Sequence, residues 1–249
     1  MFPKILIVAV IGMLSCIRMT GQLNSWHLIK AASEGQIEKV RTLLERGTPI
    51  NKKNRRGITA LIAASAQGHV RTVTLLLDQG ANLEIKDKEG TAALGHAAMV
   101  GHNQVVIILI ENGANINNQD QKLGMTPLMW AALNGQNHTV KTLISNGAQV
   151  NLQSNNGAFA LMFSALAGHT NTTVSLLINE AAVNKKDYSG RTALMGAAMR
   201  GHIETVQGLL KFAADINIKS NNGKTALNWA LEMGQMKVVK LLQKNGAKE

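Results

Sequence analysis

The sequence predicts an all-α solenoid made of seven helix-turn-helix units. The main observation is a glycine that recurs at intervals of 33 residues, with one interval of 34. This glycine stands at Gly57, Gly90, Gly124, Gly157, Gly190 and Gly223. Two leucine columns and one alanine column repeat at fixed distances from it. A constant period of about 20 to 50 residues is typical of repeat proteins, whose units bury their apolar faces against one another.

Each unit carries two short helical patterns. In the second unit they cover residues 60–67 and 72–78, separated by Gly68 and His69. The leucine of the first helix is Leu28, Leu61, Leu94, Leu128, Leu161, Leu194 and Leu227. The leucine of the second helix is Leu43, Leu76, Leu109, Leu143, Leu176, Leu209 and Leu242. Because helices of fewer than about 12 residues are marginal in water, packing between units must stabilise them.

A second glycine follows most of the second helices, where a chain leaving a helix turns through positive φ. It is found at Gly47, Gly80, Gly113, Gly147 and Gly246. Glu180 and Ala213 occupy this position in the fifth and sixth units. Since a side chain in the left-handed conformation costs about 1 kcal/mol, we expect the junctions after these two units to be the weakest.

The units resemble ankyrin repeats over residues 24–249. The resemblance rests on Gly124-Met125-Thr126-Pro127-Leu128, on Ala63-Ala64 with Gly68-His69, and on Asn146-Gly147-Ala148-Gln149-Val150-Asn151. It implies an ankyrin-repeat domain over 22–249, with units at about 24–56, 57–89, 90–123, 124–156, 157–189, 190–222 and 223–249. It also implies β-hairpin-like fingers between the units, in which Asp87 and Asp187 match the usual acidic turn residue.

Two departures from the family pattern lead to specific expectations. The family follows Thr-Pro-Leu with a histidine, whereas this chain has Ile62, Gly95, Met129, Met162, Met195 and Asn228. We therefore expect apolar contacts in place of a hydrogen-bond network. The additional residue in the interval of 34 should lengthen one finger, within residues 120–123.

Residues 1–21 have the layout of an export signal. Lys4 precedes an apolar run over residues 5–14, which is shorter than the about 20 residues that span a bilayer. The segment ending in Ser15-Cys16 resembles a bacterial lipoprotein signal, although Met13 and Leu14 depart from its preferred residues. This resemblance implies lipidation of Cys16 and a periplasmic or cell-envelope location. Cleavage further on, after Gly21, would instead give a soluble exported protein, and an uncleaved tether or no export remain open.

The chain is basic, with 26 Lys and Arg against 15 Asp and Glu, a formal net charge of +11. These charges are scattered rather than gathered into one nucleic-acid-binding patch, so no nucleic-acid partner is expected. The densest run is Lys52-Lys53-Asn54-Arg55-Arg56, which falls in one finger. A basic module that adheres to an anionic membrane or envelope polymer is the alternative function that this charge permits.

The sequence contains no pattern that predicts catalysis, a metal site or a cofactor. His69, His102, His169 and His202 recur at repeat spacing, which indicates a structural role in every unit. His96 and His138 stand outside that column but have no ligands at metal-binding spacing. A phosphate-binding loop, a nucleophile elbow and a zinc motif are all absent from the sequence. We therefore expect a protein without enzymatic activity.

One column indicates a binding surface. In the ankyrin family, the position two residues before the glycine that ends the first helix faces the concave groove. Here it carries Met99, Leu133, Leu166 and Met199. Exposed apolar stripes of this kind are typical of binding sites, unless curvature buries the column. Together with the finger residues Met125, Tyr188 and Arg191, the stripe predicts a monomeric scaffold that binds a protein partner.

Overall fold

The structure is a computed structural model that describes residues 25–248, which form fourteen α-helices and no β-strand. The helices are α1 (25–33), α2 (Ile37–Glu45), α3 (Ala60–Ala66), α4 (Val70–Asp78), α5 (Ala93–Val100), α6 (Asn103–Glu111), α7 (Pro127–Leu133), α8 (Asn137–Ser145), α9 (Ala160–Leu166), α10 (Thr170–Ile178), α11 (Ala193–Arg200), α12 (Ile203–Lys211), α13 (Ala226–Glu232) and α14 (Met236–Lys244). None of them is both long enough and apolar enough to cross a membrane. The predicted leader and Cys16 lie outside the described residues.

The helices form two parallel rows. The first helices of the units, here called inner helices, pack in the order α3, α5, α7, α9, α11 and α13. The second helices, called outer helices, pack as a second row that runs from α2 to α14. Each inner helix also packs on the outer helix that follows it. The predicted solenoid of helix-turn-helix units is thereby confirmed.

The leucine columns form the core between the two rows. The inner-helix leucines, from Leu28 to Leu227, are all buried. The outer-helix leucines are also buried except for Leu43 in the first unit, which is only partly covered. Each buried leucine contributes about 1.5–3 kcal/mol relative to exposure. Because each inner helix also packs on the inner helices of its neighbours, the units stabilise one another.

The four repeated histidines connect the second, third, fifth and sixth units to the unit before each of them. The imidazole Nε2 of His69 lies 2.9 Å from the Ser33 carbonyl oxygen, and that of His169 lies 3.1 Å from the carbonyl oxygen of Leu133. His102 and His202 make the same bond to the preceding inner helix. The structural role predicted for this column is confirmed, and the bonds it makes are between units rather than within one turn.

The fingers are tight turns within residues 25–248. Asp87 and Asp187 each accept hydrogen bonds from the backbone N–H groups two and four residues later, at 2.8–3.0 Å. Asp120 does the same in a finger that is one residue longer, accepting from Leu123 and Met125. The extra residue therefore lies where the sequence placed it. Neighbouring fingers are joined by backbone bonds such as Asn155 N–H to the Leu123 oxygen, 2.9 Å.

A ladder of side-chain carbonyl and carboxylate oxygens joins the turns that follow the outer helices. In each case the oxygen accepts the backbone N–H of a residue 31 or 32 positions later, at 2.8–3.1 Å. The acceptors are Asn51, Glu84, Asn117, Asn151, Asn184 and Asn217. The ladder is present at all six junctions, and the histidines add a second set of polar contacts at four of them.

The two exceptional residues at the ends of outer helices adopt the predicted left-handed conformation. Glu180 has a φ of 61° and Ala213 a φ of 59°, and no other non-glycine residue between 25 and 248 has positive φ. The glycines at the equivalent positions have φ between 79° and 92°. The fold is therefore the same in all units, and these two side chains carry a backbone strain that the others avoid.

The positions where the family carries histidine after Thr-Pro-Leu are largely apolar, as expected. Ile62, Met129, Met162 and Met195 are buried. Asn228 is the polar exception, and its Oδ1 accepts the backbone N–H of Thr225 at 2.9 Å to complete a capping box at the start of α13. The Met129 sulfur accepts the Thr126 N–H in the same way at the start of α7, at 3.5 Å.

Candidate partner-binding groove

One face of the inner helices adjoins the fingers and carries apolar side chains that are only half buried. Met99, Leu133, Leu166 and Met199 all lie on this face, which we call the groove. Each of them remains partly accessible, so the packing of neighbouring units covers the column incompletely. The structure therefore brings the predicted stripe together along four consecutive inner helices.

A second column lies beside the first, three residues earlier in each inner helix. Positions three apart share a face of an α-helix, and this column is also half buried. Its members are His96, Trp130, Phe163, Gly196 and Trp229. Sequence reasoning singled out only the first column and missed these aromatic residues, although aligning the units places them at one position. The groove is thus more aromatic than expected, in a chain with only 3% aromatic residues.

Finger carboxylates hold the polar members of the second column. His96 Nε2 lies 2.7 Å from Oδ2 of Asp87. The indole N–H of Trp130 donates to Oδ2 of Asp120 at 3.2 Å. These two fingers therefore fix the orientation of the His96 and Trp130 rings in the groove.

The sixth unit uses a different donor because Gly196 has no side chain. The Asp187 carboxylate, which is 1% exposed, accepts instead from Arg191, with both Nε and Nη2 at 2.9 Å from Oδ2. Charged bonds of this paired kind are geometrically specific. The guanidinium of Arg191 is thereby held at the edge of the groove.

The seventh unit lacks the finger carboxylate altogether. Ser220 stands at that position, and its hydroxyl donates within its own finger, to the carbonyl oxygen of Lys224 at 2.8 Å. As a result, the buried indole Nε1 of Trp229 has no hydrogen-bond partner within residues 25–248. The Trp229 ring is covered by the ammonium group of Lys224, 4.6 Å from the ring centre, and Lys224 in turn pairs with Glu232 at 2.6 Å.

A pocket of about 240 Å³ opens in the groove at Gly196. It is flanked by Phe163 on one side and Trp229 on the other. Its remaining walls include Met162, Leu166, Met195 and Met199, and Asn156, Asp187, Arg191 and Arg200 also line it. Two residues of the predicted stripe and one predicted finger residue, Arg191, therefore meet at one site.

The other two predicted finger residues have different positions. Tyr188 is 67% exposed at a finger, as a contact residue requires. Met125 is only 3% exposed and belongs to the core, so its prediction as a surface residue is wrong. The physical reason is that this finger position points inward, and a methionine there packs on the core whereas the longer, charged Arg191 reaches out toward the groove.

Within residues 25–248, no group of three or more His, Cys, Asp or Glu side chains is arranged to hold a metal ion. The contacts of Asp87 with His96 and of Asp187 with Arg191 each join one carboxylate to one other side chain. Cys16, the predicted lipidation site, lies outside the described residues.

Stacked helical hairpins with one groove define a repeat protein of the helical solenoid class. The sequence profile for ankyrin repeats matches residues 28–120, 128–220 and 172–249, and the chain belongs to this family. The fold is similar to the ankyrin repeat domain of human ASB11, with a TM-score of 0.78, 86% of this chain and 96% of that chain covered, and 23% sequence identity. At that identity the similarity is one of fold alone. Comparison with curated protein sequences gives no match.

Proposed function

We propose that this protein is a non-catalytic scaffold that binds a partner protein through its groove and finger tips. Ankyrin repeats are generally protein-protein interaction modules. The observation that carries the proposal is the pair of half-buried apolar and aromatic columns along α5, α7, α9, α11 and α13. These apolar side chains are partly exposed to water in the unbound protein, and their burial by a partner would stabilise the complex.

Site-specific photo-crosslinking tests this proposal. A photoreactive phenylalanine is placed at Met99, a groove residue outside the Gly196 pocket, and, as a matched control, at the exposed Lys141 of α8 on the outer row. We expect the probe at Met99, in cells that express the full chain, to capture a discrete partner that the probe at Lys141 does not capture.

The double variant Leu133→Glu plus Leu166→Glu should abolish that capture while the helical circular dichroism spectrum stays unchanged. Both side chains are half buried on the groove face, so the carboxylates can reach water without opening the core. Capture that survives in the double variant with an intact fold would move the binding site to another surface.

We also propose that the protein is exported and anchored to a membrane through lipidation of Cys16. The support is the order of Lys4, the apolar run and Ser15-Cys16 in the sequence. Fractionation with metabolic lipid labelling of the wild type and Cys16→Ala is the test. A labelled, membrane-associated band that disappears in the variant is expected, whereas equal labelling of both chains, or no labelling, would contradict anchoring at this residue.

A second candidate function is adhesion to an anionic membrane or envelope polymer. It is supported by one open cleft at the first finger, where Trp26 adjoins Lys52, Lys53, Arg55 and Arg56. None of these four basic side chains forms an ion pair with another residue in 25–248. Adhesion of this kind should collapse between low and physiological salt, because the screening length falls from about 30 Å at 0.01 M to about 8 Å at 0.15 M. Groove binding should be affected far less.

A further inference from the structure

The pocket at Gly196 is not required by the packing of the fold. Gly196 lies inside α11 and its φ is not positive. A Cβ atom built on it would stand 3.6 Å from Leu166 Cβ, which is ordinary van der Waals contact. Glycine inside a helix costs about 1 kcal/mol relative to alanine. No close steric contact explains this cost at Gly196, in contrast to Gly95, whose Cβ would come within 2.7 Å of Thr91 Cγ2.

The missing side chain leaves a gap in the aromatic column. The units on either side place Phe163 and Trp229 at the same position, and both line the pocket. Leu166, Met162, Met195 and Met199 complete its apolar walls. A volume of about 240 Å³ that is lined in this way suits one bulky apolar side chain.

The rim of the pocket is positively charged. Asp187 is the only acidic residue among those that line the pocket, and Arg191 neutralises it through the 2.9 Å pair. Arg200 is exposed at the end of α11 and has no ion-pair partner within the described part of the chain. One uncompensated cation therefore stands at the mouth of an apolar pocket, and the formal charge of the whole chain is +11.

We infer that the Gly196 pocket binds a bulky apolar side chain of a partner protein segment that carries an aspartate or glutamate close by. This inference rests on the proposed groove binding and specifies its anchor. The apolar side chain would fill the gap between Phe163 and Trp229, and the neighbouring carboxylate would pair with Arg200. Fully desolvated aromatic or aliphatic anchors carry most of the energy in interfaces of this kind, while the charged rim sets orientation and selectivity.

Selection of random octapeptides displayed on phage, with the full chain as bait, tests the inference. Each selection is run in parallel on the wild type, on Gly196→Phe, which fills the gap as Phe163 does in the preceding unit, and on Arg200→Glu. Gly196→Ala is the matched control, since its Cβ makes only ordinary contact. Circular dichroism and thermal melting establish that each bait is folded.

Sequences enriched on the wild type should combine a bulky apolar residue with Asp or Glu within four positions of it. A synthetic peptide from that pool should lose at least about tenfold in affinity on Gly196→Phe, equivalent to about 1.4 kcal/mol. On Arg200→Glu the preference for the acidic residue should disappear or reverse to Lys and Arg. Arg200 is exposed, so this second variant keeps the test informative if Gly196→Phe does not fold.

Two results would overturn the inference. Equal peptide affinity for the wild type and a folded Gly196→Phe would show that the pocket is not the anchor, and enriched sequences without acidic residues would contradict the role of Arg200. Either result leaves groove binding intact as long as the Met99 probe still captures its partner. Loss of that capture from the groove probe would instead defeat the proposed function itself.

Discussion

Replacing Ala213 with glycine should stabilise the junction between the sixth and seventh units. Ala213 has a φ of 59° at the position where five other units carry glycine. Its backbone N–H donates to the Leu210 oxygen at 3.1 Å, a bond that glycine would keep. The change therefore removes one exposed methyl group and the strain of a side chain in the left-handed region, and leaves the hydrogen bonding of the turn unchanged.

The expected gain follows from two opposed terms. A left-handed residue with a Cβ costs about 1–2 kcal/mol, and glycine in place of alanine loses about 0.5–1 kcal/mol more backbone entropy on folding. The net gain is about 0.5–1 kcal/mol, which corresponds to a rise in Tm of about 1–4 °C for a chain of this size. Added Cβ atoms at Gly47, Gly80, Gly113, Gly147 and Gly246 would meet no other atom within 4 Å, so steric contacts do not complicate the comparison.

Urea unfolding monitored by circular dichroism, together with hydrogen exchange of α12, α13 and α14, measures this gain. Gly147→Ala is the mirror-image control and should lower stability by a similar amount. Slower exchange in the last unit of Ala213→Gly is expected, because opening of the terminal unit requires the same junction to break. The reasoning is refuted if Ala213→Gly lowers the melting temperature or if Gly147→Ala leaves it unchanged.

Three further substitutions test other contacts. Glu180→Gly should raise stability by a similar 0.5–1 kcal/mol, about the gain at Ala213, in the same urea experiment. His169→Ala should lower it by about 1 kcal/mol, because the 3.1 Å bond to Leu133 is lost and a carbonyl is left without its partner; an unchanged midpoint would mean that water replaces the imidazole. Ser220→Asp should stabilise the last finger by about 1 kcal/mol by giving the Trp229 indole an acceptor, with a shift in tryptophan emission as the readout. Emission and stability that both stay constant would show that the indole does not bond at this position.

The fold could be predicted from the sequence alone because each structural residue of the repeat occurs in several units at the same spacing. The leucine columns, the histidines and the glycines after the outer helices recur with the same spacing, so an exception stands out. Glu180 and Ala213 could be identified as left-handed residues from the sequence for this reason. The acidic role of Asp120 was missed since the extra residue moves it out of register with Asp87 and Asp187.

The groove was predicted less completely because its properties depend on which side chains meet. The stripe from Met99 to Met199 can be predicted because its residues occupy the same position in each unit. The burial of Met125 cannot be predicted in this way, because it depends on how far the side chain reaches from an inward-facing position. The pocket could not be derived from the sequence, since it results from the absence of a side chain at Gly196 between rings from two neighbouring units. An alignment of the units shows the glycine, whereas the size of the gap can be determined only from the packing of the surrounding side chains.

The finger residue and the groove residue of each unit vary together, which explains how this fold changes its binding face without changing its scaffold. Where the groove position offers a donor, as at His96 and Trp130, the finger carries aspartate, and where Phe163 offers none, Ser154 bonds within its own finger. In the sixth unit Gly196 offers nothing, but Arg191 replaces it as the donor to Asp187. Only the seventh unit breaks the pairing, since Trp229 is a donor above Ser220. The Gly196 pocket thus lies between Phe163, which has no polar group to satisfy, and Trp229, whose indole N–H lacks an acceptor in its finger and whose ring is covered by Lys224 instead.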